Sequence, residues 1–190
     1  MQLKPILEPK HYINQTEYYY YREGFSTQEL EWIENLKDLY HFEPPTIDGS
    51  SKEIKRIRLI NPDEKSEWLY DKLTKFALDA NRTVWDFDLH SIIDDIQYTE
   101  YLDGGFYDWH LDIGPDSLNH RKISIITQLS DSNEYEGGDL EFWTNGKFIS
   151  VPKIKGYTIL FPSFLLNRVT PVTKGVKKIL VLWISGCSYK

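Results

Sequence analysis

From about Ser91 onward, the chain consists of short runs of β-branched and aromatic residues separated by Gly, Pro, Asn and Asp. The runs are "IQYTEY", "FYDWHLD", "KISIITQL", "DLEFW", "KFISV", "YTILFP", "NRVTPV" and "KKILVLWIS". Turn residues between such runs, including Asn145 and Gly146 in "TNGK", are typical of strands joined by tight hairpins. This pattern predicts an antiparallel barrel or jelly roll, cupin-like in form, over residues 91–190.

The first ninety residues carry helical signals instead. The stretch "FSTQELEWIENLKDLY" has Ser26 followed three positions later by Glu29, a capping box, and it predicts a helix from Thr27 to Tyr40. A strand is predicted at "IKRIRLI" and a second helix in "PDEKSEWLYDKLTKFALDANRTV". We therefore expect one mainly β domain over residues 1–190, with a helical support region at 1–90 and a jelly-roll core at 91–190.

Charge and cysteine content restrict the possible partners. The 29 acidic and 22 basic side chains give a net charge of −7, which disfavours a protein that neutralises nucleic-acid phosphates. The single cysteine, Cys187, is expected to exclude both an intrachain disulfide framework and any cysteine-based zinc site. No apolar run approaches a transmembrane span. The expectation is a soluble cytoplasmic protein with neither a nucleic acid nor a membrane as partner.

The stretch "YLDGGFYDWHLDIG" contains the first candidate site. On a strand, His110 and Asp112 point to the same side while Leu111 turns away, so they present a nitrogen and an oxygen to a common point. A pair of this kind is also found as a surface histidine beside a carboxylate. Two His and one carboxylate on one face form the facial triad of non-haem Fe(II) oxygenases, and such a site needs a remote third ligand.

A lysine in "NRVTPVTKGVKKILVLW" is the second candidate. Lys177 shares strand parity with Ile179, Val181 and Trp183, which predicts one charge on an otherwise apolar inward stripe. A buried lysine without a partner is costly, so an inward Lys177 predicts an anionic guest. With the opposite parity, Lys177 would be solvated and Lys178 would face inward.

Several motifs in order resemble those of the Fe(II)/2-oxoglutarate-dependent oxygenases, in the prolyl 4-hydroxylase-like, PKHD-type hydroxylase group. They are "QYTEYLDGGFYDWHLD", "RKISIITQLSDSNEYEGGDLEFW", "GYTILFPSFLLNRVTPVTKGVKK" and "LVLWISG". The resemblance implies a double-stranded β-helix with flanking helices. It also implies Fe(II) and 2-oxoglutarate, with ascorbate as an optional reductant, and hydroxylation of a C–H bond. The implied substrate is a prolyl residue in a peptide or protein, or a small molecule.

The same resemblance assigns roles to individual residues. His110 and Asp112 match iron ligands, Lys177 matches the partner of the far carboxylate of 2-oxoglutarate, and Tyr101 matches a hydroxyl donor to that co-substrate. Three further residues match positions that line the substrate side of the pocket, and each has a structural alternative, as a core aromatic or a solvated arginine: Tyr107, Arg121 and Trp183.

One position departs from the family pattern. Where the family has a histidine as the third ligand, this chain has Asn167 in "FPSFLLNRVTPV". An amide oxygen is a neutral, weaker donor than imidazole, so metal affinity should fall. Three explanations are open: a working variant, a natural inactive member, or an engineered inactivation. The remaining histidines have no matching context as replacements: His11, His41, His90 and His120.

Overall fold

The computed structural model describes residues 17–40, 42–43 and 55–188. Within them, two α-helices and fourteen β-strands follow one another along the chain. The helices are α1 (Thr27–Leu36) and α2 (Glu67–Ala80). The strands are β1 (Tyr19–Tyr21), β2 (Phe42–Glu43), β3 (Lys55–Ile60), β4 (Leu89–Ser91), β5 (Ile96–Tyr101), β6 (Tyr107–His110), β7 (Arg121–Gln128), β8 (Tyr135–Gly137), β9 (Leu140–Thr144), β10 (Lys147–Ser150), β11 (Thr158–Pro162), β12 (Asn167–Val169), β13 (Val172–Gly175) and β14 (Lys177–Gly186).

The first helix begins where its sequence predicts. The Ser26 hydroxyl accepts from the backbone N–H of Glu29, and the Glu29 carboxylate accepts from the backbone N–H of Ser26, so the capping box is confirmed. The predicted end at Tyr40 is wrong, because the α-helix stops at Leu36 and continues only as a 3-10 turn over Lys37–Leu39. Tightening of the last turn in this way is common at helix ends.

Two facing sheets form the body of the molecule. The major sheet has the order β1-β11-β7-β14-β5-β3-β2, with β4 paired to β14, and the minor sheet has the order β10-β9-β12-β6. A small third sheet pairs β13 with β8. Strands β1 and β3, from the predicted helical support region, are hydrogen-bonded into the major sheet.

The alternation of side chains along the strands separates two hydrophobic cores, one on each face of the major sheet. On β7, Ile123 and Ile125 pack on the helices, together with Leu73 of α2. Ile126, on the opposite face, packs with Phe142 of the minor sheet. The helices therefore cover one face of the major sheet and leave the other face to enclose a site against the minor sheet.

Two turn regions test the strand predictions. Asn145 and Gly146 have φ values of 50° and 75°, so the β9–β10 hairpin predicted from "TNGK" is confirmed as a turn with two left-handed residues. The single strand predicted at "NRVTPV" is wrong, because β12 and β13 lie in different sheets. Pro171 separates them, and proline has no N–H to continue a ladder.

Candidate active site

A cavity of about 250 Å³ opens between the two sheets. Seven of the eight site residues predicted from sequence line it: Tyr101, Tyr107, His110, Asp112, Arg121, Asn167 and Trp183. The eighth, Lys177, lies directly opposite Tyr101 on the adjacent strand. The fold thus gathers residues that are up to 82 positions apart in the chain around one space.

The imidazole of His110 has one ring nitrogen available for a ligand. Its Nδ1 lies 2.7 Å from the main-chain oxygen of Asp108, and a carbonyl can only accept, so Nδ1 carries the proton. The ring of Tyr107 stacks on the imidazole with 3.6 Å between ring centroids. These contacts orient the ring and leave the lone pair of Nε2 directed elsewhere, as in metal-binding histidines.

Asp112 lies just beyond the strand that carries His110. The prediction that both residues share one strand is wrong, because β6 ends at His110 and the backbone N–H of Asp112 donates instead to Ser163 O at 2.9 Å. The predicted convergence is nevertheless present, since His110 Nε2 and Asp112 Oδ1 are 3.2 Å apart. Leu111 between them is exposed but also lines the cavity, so it does not turn fully away as predicted.

The second carboxylate oxygen of Asp112 has its own partner. Ser124 Oγ donates to Oδ2 at 2.5 Å and is itself 3.0 Å from Ser163 Oγ. Burial raises the pKa of the Asp112 carboxyl, but the contact with His110 and the hydrogen bond from Ser124 lower it more, so the pKa lies below its ordinary value. Asp112 is therefore an anion whose Oδ2 is occupied by Ser124 and whose Oδ1 lies against His110.

The separation of these two atoms fits a divalent cation. Neighbouring ligands at about 2.1 Å from a metal, at right angles, are roughly 3 Å apart. An imidazole lone pair and a carboxylate oxygen at 3.2 Å repel each other unless a proton or a cation lies between them. The donor set of one imidazole and one carboxylate suits Fe(II) and related transition metals.

Asn167 sits beside this pair on β12. Its Cα is opposite both His110 and Phe142, and its side chain is 2% exposed. The amide nitrogen donates to His110 O at 3.4 Å and to Leu165 O at 3.2 Å. With the nitrogen turned to the main chain, the amide oxygen is the atom that can act as a third ligand.

Lys177 is fully buried, so the inward orientation predicted from strand parity is confirmed. Its ammonium donates to Gln128 Oε1 at 2.8 Å and to the Tyr135 hydroxyl at 3.4 Å. Burial, reinforced by Lys153 and opposed by Asp139, lowers the pKa of Lys177 to about 7. Its two hydrogen-bond partners are uncharged, which is the arrangement expected of a lysine that awaits an anion.

The amide of Gln128 adds a second donor at this place. Its Nε2 is buried and has no hydrogen-bond partner among the residues that the structure describes. A buried unpaired N–H costs about 1–3 kcal/mol, so a bound carboxylate would relieve it. The amine of Lys177 and the amide of Gln128 are thus two buried donor groups in direct contact.

The three predicted substrate-side residues are in place, and two of them contact each other. Arg121 lies 3.7 Å from the ring centroid of Trp183 and binds the Asp94 carboxylate through two nitrogens, at 3.0 and 2.8 Å. Tyr107 has Lys55 Nζ over its ring, 4.1 Å from the centroid. The guanidinium of Arg121 is thus already paired with Asp94 and stacked on Trp183.

Sequence reasoning missed Ser124, Gln128 and Tyr135. The first two have the parity of Ile126 on β7, so they are polar residues on the inward face of an apolar strand. Strand parity could therefore have identified both residues from the sequence. Tyr135 lies on the short β8, and nothing in its local sequence indicates that its hydroxyl meets Lys177.

Neither of the two other histidines in the described ranges completes the site. His120 and His90 are absent from the lining of the cavity. His11 and His41 lie outside the described residues.

The chain is similar in sequence to known hydroxylases. Residues 96–185 match the sequence model of the 2OG-Fe(II) oxygenase superfamily. A PKHD-type hydroxylase of Synechococcus sp. (strain CC9605) is 30% identical over 135 residues, covering 70% of this chain and 60% of that protein. A second, from Aliarcobacter butzleri, is 29% identical over 173 residues, covering 86% and 76%. For several relatives the chain spans about half of their length or less, as with the 42% covered in Synechococcus sp. (strain CC9902).

Solved structures share the fold. A prolyl-4-hydroxylase of Pseudomonas putida superposes with a TM-score of 0.72 at 18% identity, covering 90% of this chain and 94% of that one. A prolyl hydroxylase of Trichoplax adhaerens, in complex with a hypoxia inducible factor peptide fragment, gives 0.73 at 16% identity, covering 90% and 84%. The predicted double-stranded β-helix with flanking helices is confirmed. No helix within the described ranges is both long and apolar enough to cross a membrane.

Proposed function

We propose, because residues 96–185 match the sequence model of the 2OG-Fe(II) oxygenase superfamily, that the chain is an Fe(II)- and 2-oxoglutarate-dependent dioxygenase that hydroxylates a C–H bond. The observation that carries the proposal is the 3.2 Å approach of His110 Nε2 to Asp112 Oδ1 at the cavity between the sheets. A fully buried lysine near the same cavity supplies the charge for an acidic co-substrate.

His110, Asp112 and the amide oxygen of Asn167 would hold the iron. When bound, Fe(II) with O₂ and 2-oxoglutarate supplies the oxidising power, and 2-oxoglutarate leaves as succinate and CO₂. His110 is oriented by the carbonyl of Asp108, and Asp112 is fixed by Ser124, so both ligands are preorganised.

The co-substrate would be oriented by its far carboxylate. Lys177 donates a charge-assisted hydrogen bond to that group, and Gln128 Nε2 gains the partner it lacks. Tyr101, whose Cα faces that of Lys177, lines the cavity and is assigned a hydroxyl donor role toward the same molecule. Burial of these donors excludes water and strengthens their electrostatic effect.

We further propose a peptide or protein substrate, with a prolyl residue as the leading class and a small molecule as the alternative. Similarity to PKHD-type hydroxylases and to prolyl hydroxylases supports this choice. Tyr107, Arg121 and Trp183 would contact the substrate at the cavity wall. Ascorbate would serve as a reductant, as the family resemblance implies.

A second candidate function is 2-oxoglutarate or peptide binding without turnover, in a natural or engineered inactive member. The observation that favours it is Asn167, whose amide nitrogen is committed to two main-chain oxygens. The remaining oxygen is a neutral ligand, and iron affinity falls accordingly. Loss even of an outer contact to a metal ligand typically costs roughly 10–100-fold in affinity or activity.

An anaerobic titration of Fe(II) in the presence of 2-oxoglutarate separates the two functions. The visible charge-transfer band of the chelated complex is followed in the natural chain, in Asn167→His and in Asp112→Ala, and succinate is then measured after O₂ is admitted. The dioxygenase proposal expects the band and succinate from the natural chain, and neither from Asp112→Ala. A band and succinate from Asn167→His alone would favour the inactive member, and none from either protein would contradict the dioxygenase proposal.

A further inference from the structure

A second group of potential metal ligands lies where β4 meets the end of β14. It consists of Asp88, His90 and Cys187, all exposed, whose ligand atoms lie within 4.8 Å of one another. None of the three lines the cavity that holds His110. The function proposed above makes no use of this group.

The distances among the three atoms form a nearly regular triangle. His90 Nε2 is 3.3 Å from Asp88 Oδ2 and 3.3 Å from Cys187 Sγ, and Cys187 Sγ is 3.9 Å from Asp88 Oδ2. A tetrahedral zinc ion, with Zn–S of about 2.3 Å and Zn–N and Zn–O of about 2.0–2.2 Å, separates its ligand atoms by roughly 3.4–3.6 Å. The triangle needs adjustments of only a few tenths of an ångström to accept such an ion.

The choice of ring nitrogen distinguishes a metal site from a catalytic relay. In a nucleophile–histidine–carboxylate relay, the thiol and the carboxylate contact opposite nitrogens of the imidazole. Here both Cys187 Sγ and Asp88 Oδ2 approach Nε2 of His90. All three donors thus converge on one point, which is the geometry of coordination and not of proton transfer.

Backbone pairing holds the triangle together. Ser185 is paired with Ser91 and Gly186 with Leu89, so β4 runs alongside the end of β14. A Cβ on Gly186 would lie 2.0 Å from the main-chain oxygen of Asp88, so only glycine permits this approach. The ladder and the close approach at Gly186 therefore hold the backbone of residues 88 and 187 near each other.

We propose that Asp88, His90 and Cys187 form a binding site for a zinc-class divalent transition metal, with solvent in the fourth position. Thiolate, imidazole and carboxylate are the ligand types that zinc accepts, and three protein ligands with one open position make a stable tetrahedral set. The cysteine count does not exclude such a site, because one cysteine suffices when the fold brings a histidine and a carboxylate to it.

Cobalt(II) provides a direct test, because a thiolate bound to cobalt gives a sulfur-to-metal charge-transfer absorption in the near ultraviolet. The chain has a single cysteine, so any such band reports Cys187. The full chain, reduced with a non-thiol reductant, is titrated with Co(II) and then with Zn(II). The expected result is a band that saturates at one equivalent per chain and is bleached by Zn(II), which binds such sites more tightly.

Variants distinguish Co(II) binding at this site from Co(II) binding elsewhere on the chain. The band should vanish in Cys187→Ser. In His90→Ala and Asp88→Asn, the Co(II) affinity that the band reports should fall at least tenfold. The band should persist in His110→Ala, which removes the cavity ligand, and in Asp86→Asn, a matched exposed carboxylate close in sequence. Absence of the band in the natural chain would overturn the proposal, as would a band of unchanged affinity in both His90→Ala and Asp88→Asn.

Discussion

Replacing Lys177 with methionine tests the physical basis of the co-substrate site without any ligand. Methionine keeps the length and the apolar stem of the side chain but cannot carry a charge. The pKa of Lys177 is about 7 in the fold, against an ordinary value of 10.5. At about 1.4 kcal/mol per pKa unit, holding the buried ammonium costs the native state about 5 kcal/mol at low pH.

The sign of the pH dependence follows from this depressed pKa. Between about pH 7 and about pH 10.5 the unfolded chain binds the proton and the native chain has released it, so stability rises with pH. The free energy of unfolding of the natural chain should therefore rise by about 2 kcal/mol, relative to Lys177→Met, from about pH 6.5 to about pH 8.5. Loss of the hydrogen bond to Gln128 adds a cost of about 1–3 kcal/mol in the variant, but that cost does not vary with pH.

Urea denaturation at several pH values measures this difference. Lys178→Met is the matched control, because Lys178 is the neighbouring lysine, only partly buried and paired with Glu34 at 3.2 Å. Its stability should follow that of the natural chain across the pH range. Parallel curves for the natural chain and Lys177→Met would refute the claim that the buried amine titrates near neutral pH.

Binding of 2-oxoglutarate should favour the protonated form of Lys177. A bound dicarboxylate pairs with the ammonium, so 2-oxoglutarate affinity should be highest below about pH 7 and fall about tenfold per pH unit above it. In Lys177→Met the affinity should be weak and independent of pH over that range. Isothermal titration of 2-oxoglutarate at fixed metal concentration measures both.

Three further outcomes can be checked independently. Ser124→Ala removes the donor to Asp112 Oδ2 and should weaken Fe(II) binding roughly tenfold in an anaerobic titration, whereas an unchanged affinity would show that the hydrogen bond does not orient the ligand. Gly186→Ala places a Cβ 2.0 Å from the main-chain oxygen of Asp88 and should lower the free energy of unfolding by about 1–3 kcal/mol in urea, and equal stability would contradict the close approach. Tyr98→Phe removes a 2.8 Å hydrogen bond to Glu34 on α1 and should lower stability by about 1 kcal/mol, which thermal or urea unfolding would detect; no change would mean that this bond does not fasten the helix to the sheet.

Strand parity was the most informative sequence signal for the site. It placed Lys177 inward with Trp183, and both side chains are buried on β14. It also brought His110 and Asp112 to one point, although the strand ends before Asp112. Parity depends only on the alternation of side chains along extended backbone, which a short sequence already determines.

What the sequence could not supply is the pairing between distant strands. The approach of Gln128 to Lys177 depends on which strands are neighbours and on their register, and both are set by long-range packing. The division of "NRVTPV" into two strands of different sheets has the same origin. The cluster of His90 with Cys187 joins positions 97 residues apart, and no local pattern indicates it.

The position of β14 in the major sheet has a consequence for biosynthesis. This strand is the last of those described, yet it lies in the middle of the sheet, between β7 on one side and β5 on the other. Every iron ligand of the proposed site emerges from the ribosome before β14, the strand that joins the two halves of the major sheet. Nascent chains should therefore expose unpaired strand edges until β14 has emerged, and a premature stop before Lys177 should yield an aggregation-prone product with no assembled cavity.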